Sequence, residues 1–351
     1  MQYSHLHAEV SDVSRRTSLP LIPAILGLLL HSAAMEDSSL QAKTVPASAD
    51  NFSLTSGSIA VPFEYYKQHI YISVDLNGVP GPVFMVDSGA DRNILSLRTA
   101  QKLGLQTGRL RQEQKVGFGD GLIYTAPREY VDARVDSIPI AQTMAVIDLN
   151  RFERHFSHTT DGILGVPFFQ RFIVKLDFSI HLMTLYPAAH YSYRGLGSRI
   201  QLIPASKNFV VVPVVVGGSN GVRHPAQVII DTGSNATLML YEDCTRALHL
   251  ESSLAHAQEA KAYGLNGYYP IKRGSIPYLL IGNAETRNLP VDYIDPNGET
   301  HPVRQSVGAI GTGILQGFQS VIFDVPHRRM IFEVRRPPLM PGVVRTETAG
   351  P

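Results

Sequence analysis

Val83-Phe84-Met85-Val86-Asp87-Ser88-Gly89-Ala90 runs an apolar strand into a carboxylate, a small hydroxyl residue and a glycine. The same pattern returns 144 residues later as Val228-Ile229-Ile230-Asp231-Thr232-Gly233-Ser234. A single Asp-(Ser/Thr)-Gly is ordinarily just a turn after a strand, with Asp bonding to backbone and Gly easing the bend. Two copies, each closing an apolar strand, point instead to one site built from two halves of the chain.

Reading outward, the surroundings of the two copies also match. Asp87 lies 78 residues before Gly165, and Asp231 lies 80 before Gly311; Phe172 and Phe318 each follow that glycine by 7. Agreement at several landmarks is the mark of a long-period internal duplication. In the first half, His69 to Leu76 alternates, with Ile70, Ile72, Val74 and Leu76 on one face, as in a half-buried strand. Asn77-Gly78 is a hairpin turn signal, and the return strand delivers Asp87. Ser96 is a fitting N-cap for a short helix that Gly104 ends. Gly117-Phe118-Gly119-Asp120-Gly121 has no lysine at the spacing of a phosphate-binding loop; it reads as a hairpin tip carrying Phe118. In the second half, Gly264-Leu265-Asn266-Gly267 takes the place of that tip, and Tyr241 to Leu248 is expected to be helical.

These elements predict an all-β protein with a few short helices. Its two lobes, residues 58–195 and 201–338, should pack about a pseudo-two-fold axis, followed by a loose tail over 339–351. The many Gly (29) and Pro (23) residues suit a turn-rich β fold. With 31 basic and 30 acidic side chains, the chain has no charge excess of the kind that binds nucleic acid. Cys244 is the sole cysteine, so no intramolecular disulfide can form; it is expected to be a small buried apolar residue. Arg15 and Arg16, the apolar run from Leu19 to Leu30 and the small residues Ser32-Ala33-Ala34 read as an export signal over 1–34. Residues 35–57 read as a flexible spacer. A periplasmic or secreted protein is expected, an uncleaved N-terminal anchor being the alternative; no stable membrane span is expected once the signal is removed.

Two aspartates meeting at a pseudo-two-fold axis would share one proton and titrate as a pair. The charged member can take a proton from a water held between them while the protonated member donates to a carbonyl oxygen, which is general acid–base hydrolysis. That chemistry needs neither metal nor cofactor. Gly89 and Gly233 would allow backbone N–H groups to approach the carboxylates, and Ser88 and Thr232 could brace the pair across the axis. A glycosidase would need its carboxylates farther apart, at about 5–5.5 or 6.5–9.5 Å. Glu153, His155 and His158 form the nearest thing to a ligand cluster and read as a polar loop; Asp161 reads as a turn residue.

With these motifs in place, the sequence resembles a pepsin-type, bilobal aspartic protease, of the single-chain bacterial branch related to retroviral-type proteases. Asp87-Ser88-Gly89 and Asp231-Thr232-Gly233 match the family's paired active-site motif. Ile163-Leu164-Gly165 and Ala309-Ile310-Gly311 resemble its hydrophobic-hydrophobic-Gly motif, and residues 117–121 resemble its flap over the substrate cleft. The resemblance implies a monomeric endopeptidase whose partner is a peptide or protein substrate, with Asp87 and Asp231 catalytic. A catalytically inactive peptide-binding protein on the same scaffold is the alternative. Eukaryotic members carry a flap tyrosine; here Phe118 stands nearest and has no hydroxyl to offer. Ser88 stands where Thr is commoner.

Overall fold

Duplication is visible in the strand order. The computed structural model describes residues 57–113, 117–140, 142–295 and 303–335. In the first lobe, a sheet runs His69–Ser73, Val83–Val86, Gly162–Leu164, Ile94–Ser96, Gln142–Ile147, Ile123–Val131 and Arg111–Glu113, with Glu64–Tyr66 added at the edge beside His69–Ser73. The second lobe repeats that order as Val211–Gly217, Arg223–Ile230, Gly308–Ile310, Leu238–Tyr241, Ala284–Ile294, Gly267–Ile281 and Gln258–Gly264. The chain is thus mostly β and two-lobed, as its repeated motifs predict.

A third, six-stranded sheet joins the lobes. Ile59–Pro62, Leu182–Tyr186 and Ile173–Asp177 come from the first half, and Phe318–Asp324, Arg329–Val334 and Ser198–Gln201 from the second. The two halves meet where Val174 faces Phe323 and Leu176 faces Val321 in antiparallel register. One apolar cluster reaches from Phe84 and Leu164 through Phe169 and Phe323 to Val228 and Ile310. Burying each such side chain is worth about 1.5–3 kcal/mol, so the lobes share a core as well as a sheet.

Local rules explain the short helices. Leu97–Lys102 starts at Ser96, whose Oγ accepts the Thr99 amide at 3.0 Å, and it is followed by Gly104 with φ +69°. The helix expected over Tyr241–Leu248 does not form: Leu238–Tyr241 is a strand, a 3-10 turn follows at Glu242–Cys244, and the α-helical turn comes later, at Glu251–Ala255. Tyr241 is claimed by parallel pairing with Ile294, so tertiary pairing overrides helix propensity there. Cys244, on that 3-10 turn, is half-buried rather than fully buried, and burial pushes its thiol up to about 12. The expected export signal, nearly all of the spacer and the tail lie outside the described residues. Among the described residues, no helix is long and apolar enough to cross a membrane.

Candidate active site

Each aspartate is delivered by a strand held in parallel register to its partner: Val86 beside Leu164, and Ile230 beside Ile310. The ladder continues one residue further in both lobes, the Asp87 amide donating to Leu164 O and the Asp231 amide to Ile310 O, each at 2.9 Å. Gly165 and Gly311 then pass under the two turns. A Cβ on Gly165 would overlap the carbonyls of Ala90 and Arg92, and one on Gly311 those of Ser234 and Ala236. The hydrophobic-hydrophobic-Gly motifs therefore fix the floor on which each Asp-(Ser/Thr)-Gly turn rests.

At the axis the turns clasp each other. Ser88 Oγ donates to Ile230 O at 2.7 Å and accepts the Thr232 amide at 3.1 Å. Thr232 Oγ1 donates to Val86 O at 2.8 Å and accepts the Ser88 amide at 2.9 Å. Both hydroxyl residues are fully buried. Four crossed bonds hold two turns 144 residues apart in one geometry, and losing a hydroxyl would remove the acceptor of a buried amide.

Gly89 and Gly233 do two things. Their amides donate to Asp87 Oδ1 at 2.8 Å and Asp231 Oδ1 at 2.9 Å, each within its own turn. Their missing side chains make room for the carboxylate of the other lobe: a Cβ on Gly89 would overlap Asp231, and one on Gly233 would overlap Asp87. Each carboxyl thus sits beside the turn of the other lobe, close enough for the two to act on each other's charge. Burial raises both above the ordinary carboxylate range. The charge of Asp231 raises Asp87 further, whereas Asp231 is partly offset by hydrogen bonds from Asp87 and from the amides of Gly233 and Ser234. Such a pair holds one proton between its members over the range where a lone aspartate would be fully ionised.

The expected flap residues, Gly117, Phe118, Gly119, Asp120 and Gly121, lie against the second lobe's tip. The Gly121 amide donates to Asn266 O and the Asn266 amide to Phe118 O, both at 3.0 Å. Arg151, on the first-lobe helix Asn150–Phe156, donates to Asn266 O and to Asp120 Oδ1, both at 3.0 Å. His155 on that helix stacks face to face on Tyr263, with centroids 3.5 Å apart, and Tyr263 Oη donates to Arg151 O at 3.1 Å. Both lobes thus contribute a hairpin tip, and the tips are joined.

Sequence reasoning passed over Tyr269, two residues beyond the second tip. Its ring lies 5.2 Å from that of Phe118. Burial, then the charge of Asp231, pushes its phenol up. The signal was available, because Gly264–Gly267 already occupied the position of a tip, and a tyrosine missing from one tip could be sought on the other. The remaining candidates are structural. Asp161 accepts the Val83 amide at 2.9 Å, Arg98 at 3.0 Å and Thr99 Oγ1 at 2.6 Å. Glu153 is taken by Arg98, His155 by Tyr263, and His158 faces Glu64 at 3.3 Å, so the three diverge. A cavity of about 610 Å³ between Lys175, Tyr186, His190 and Tyr193 touches neither aspartate.

Compared with known proteins, the chain has no match among curated ones. A family model described as aspartyl protease matches residues 72–168 and again 212–315, once for each lobe and together more than half of the chain. Each match contains one of the two clasped turns, and the chain belongs to the aspartyl protease family.

Proposed function

We propose that this chain is an aspartic endopeptidase in which Asp87 and Asp231 hydrolyse peptide bonds by general acid–base activation of a water held between them. The observation that carries this reading is the meeting of two raised carboxyls, each in the space left by the other lobe's glycine, inside a clasp of four crossed bonds. One carboxylate takes the proton of the water as it attacks the peptide carbonyl, and the protonated partner donates to the carbonyl oxygen. As the C–N bond then breaks, the carboxyl that took the water's proton gives it to the leaving amine, and the other carboxylate takes back a proton from a hydroxyl of the tetrahedral intermediate, which restores the shared-proton state. Amides fixed at 2.8–2.9 Å on Oδ1 of each aspartate keep the carboxyls oriented, so that little reorganisation is needed during the reaction.

Two joined tips above a pair of repeated lobes favour the branch related to retroviral-type proteases, here as one chain. The substrate is a peptide or protein segment lying extended between tips and dyad. On this reading the chain acts as a monomer, its lobes being residues 58–195 and 201–338, after export to the periplasm or the medium. Incubating the chain with a diverse peptide library from pH 3 to 8, and analysing the products by mass spectrometry, tests it. Cleavage that a central-hydroxyl transition-state mimic of the statine kind blocks is the expected result. Peptide binding without any cleavage would instead favour an inactive binding protein.

A further inference from the structure

The six-stranded sheet that joins the lobes has two faces. Val174 and Phe323 belong to the shared core on one face, while Ile173, Ile322 and Ile331 form a separate cluster on the other. The chain leaves this sheet after Leu182–Tyr186, next to one edge, and rejoins it at the opposite edge with Ser198–Gln201. Residues 187–197 therefore cross Ile173–Asp177, Phe318–Asp324 and Arg329–Val334, which lie between. Tyr191 and Tyr193 on the crossing, and Tyr186 just before it, pack against the isoleucine cluster. The rings of Tyr186 and Tyr191 lie 5.0 Å apart at 52°. The crossing does not close on the sheet. Between them lies the cavity of about 610 Å³, lined by the three tyrosines, Ile322 and Lys175. That volume is in the range of small-molecule sites.

Its walls are fixed before anything enters. Tyr193 Oη donates to Glu333 Oε1 at 2.8 Å and accepts the Gly197 amide at 2.7 Å, and the Arg199 guanidinium lies over its ring. Lys175 Nζ donates to Glu333 Oε2 at 3.0 Å, and Ser320 Oγ donates to the same oxygen. Glu333 is thus occupied by three donors, and it does not line the cavity. Asp324, the other carboxylate whose charge acts on Tyr191, is paired with Arg329 and His327. The lining holds no carboxylate; its charged groups are Lys175 and the exposed Arg194, with His190 beside them. An ammonium carries three N–H donors, so Lys175 has donors beyond the one given to Glu333. Burial pushes the Tyr191 and Tyr193 phenols up, so both stay neutral. Aromatic and aliphatic walls beside cations select a flat apolar body that carries negative charge. A cationic ligand, which tyrosine rings alone would attract, meets Lys175 and Arg194 instead.

We propose that this cavity is a binding site for a ring-bearing organic anion, of the aromatic carboxylate class, with its ring among Tyr186, Tyr191 and Tyr193 and its charge held by Lys175 and Arg194. The site is separate from the dyad and does not depend on the protease reading. Its walls come from both halves of the chain, Lys175 and Tyr186 from the first and Ile322 from the second. An occupant therefore binds the joined arrangement of the lobes and stabilises it.

Calorimetric titration of the full chain with naphthalene-carboxylate, and with the matching alcohol and amine, tests this. The carboxylate should bind one per chain, the alcohol about tenfold more weakly, and the amine more weakly still. Arg194→Gln, an exposed change that should leave the fold intact, should weaken the carboxylate by about 5- to 10-fold and leave the alcohol unchanged. Tyr191→Ala should weaken both. At about ten times its Kd, the carboxylate should raise the melting temperature by about 2–4 °C. Asp87→Asn should bind it as wild type does. No heat of binding at about 1 mM carboxylate would overturn the proposal, as would equal affinity for all three probes or an undiminished affinity in Arg194→Gln. Displacement by a statine-type mimic, or weaker binding to Asp87→Asn, would put the probe in the cleft and overturn it too. Binding is read without turnover, so a failure to cleave any peptide would count against the protease reading alone.

Discussion

The two lobes agree where they must meet and differ where they face the cleft. Both Asp-(Ser/Thr)-Gly turns have the same register, the same amide on Oδ1 of the aspartate and the same glycine beneath. The tips do not match: Gly117–Gly121 is an open bend, while Gln258–Gly264 and Gly267–Ile281 form a long hairpin closed by Leu265-Asn266. Beside the second tip, Tyr263 docks on the first-lobe helix Asn150–Phe156, and Tyr269 faces Phe118 of the first tip. At its axis a two-fold site tolerates only changes that keep the bonding group, as Ser88 opposite Thr232 keeps the hydroxyl, because each turn is the other's hydrogen-bond partner. Away from the axis each lobe meets a different part of any bound chain, and there divergence is free.

The largest effects should fall on the symmetric part, equally from both sides. Asp87→Asn and Asp231→Asn should each lower kcat by about 10³-fold or more, since each removes one half of a shared acid–base pair. A large difference between them, measured on one peptide, would break the equivalence. Stability should move the opposite way. Asp87 has a raised pKa in the folded state, so it binds its proton more tightly there than when unfolded. Its stabilising contribution is complete below the ordinary aspartate pKa of about 3.9 and is lost as pH rises through the folded value. Asp87→Asn should therefore melt above wild type at pH 7 and lose that advantage near pH 4.

Next come Gly89→Ala and Gly233→Ala. In each, the new methyl occupies the space of the opposite carboxylate. The dyad must shift by an ångström or so, for a loss of about 10²-fold in kcat. The pair sharpens the comparison, because each substitution in one lobe damages the aspartate of the other.

Much of this site was legible in the sequence because its chemistry depends on residue type at a fixed offset from a strand end. Asp-Ser-Gly and Asp-Thr-Gly placed Asp87 and Asp231, and the matched spacing to Gly165 and Gly311 placed the floor beneath them. The mostly β, two-lobed fold followed from the same duplication. The six-stranded sheet was harder to read, since it mixes strands of both halves whose pairing partners lie far apart in sequence. The joined tips were illegible for a different reason. Arg151 reaches them from a helix with no motif of its own, and a bond to the Asn266 carbonyl leaves no trace in side-chain identity. Tyr241 failed as a helix start because its pairing with Ile294 depends on a strand some fifty residues later.

Smaller effects should come from the clasp, and here the lobes ought to differ in stability rather than rate. Ser88→Ala leaves the Thr232 amide without its acceptor, and Thr232→Val leaves the Ser88 amide without one. Each strands a buried donor, at about 1–3 kcal/mol. Thr232→Val keeps the side-chain volume and Ser88→Ala does not, so equal melting losses would mean that hydrogen bonds, and not packing, hold the axis. A loss confined to Ser88→Ala would mean the reverse.

The smallest effect should come from the join between the tips. Arg151 is 43% exposed and Asp120 61%, so their ion pair is screened by water and salt and contributes little to stability. What Arg151→Ala removes is the fork that ties Asn266 O and Asp120 to the same helix. The Gly121 and Asn266 amide bonds remain, so the tips should still meet but separate more readily. If opening limits access to the dyad, Arg151→Ala should raise kcat/KM for bulky peptides by about two- to threefold, an effect of under 1 kcal/mol. Added salt should bring wild type towards the variant, because screening weakens the same ion pair. If closure instead holds the substrate in place, KM should rise by a similar factor with kcat unchanged. The direction of the change therefore decides whether the asymmetric roof serves as a gate or as a clamp.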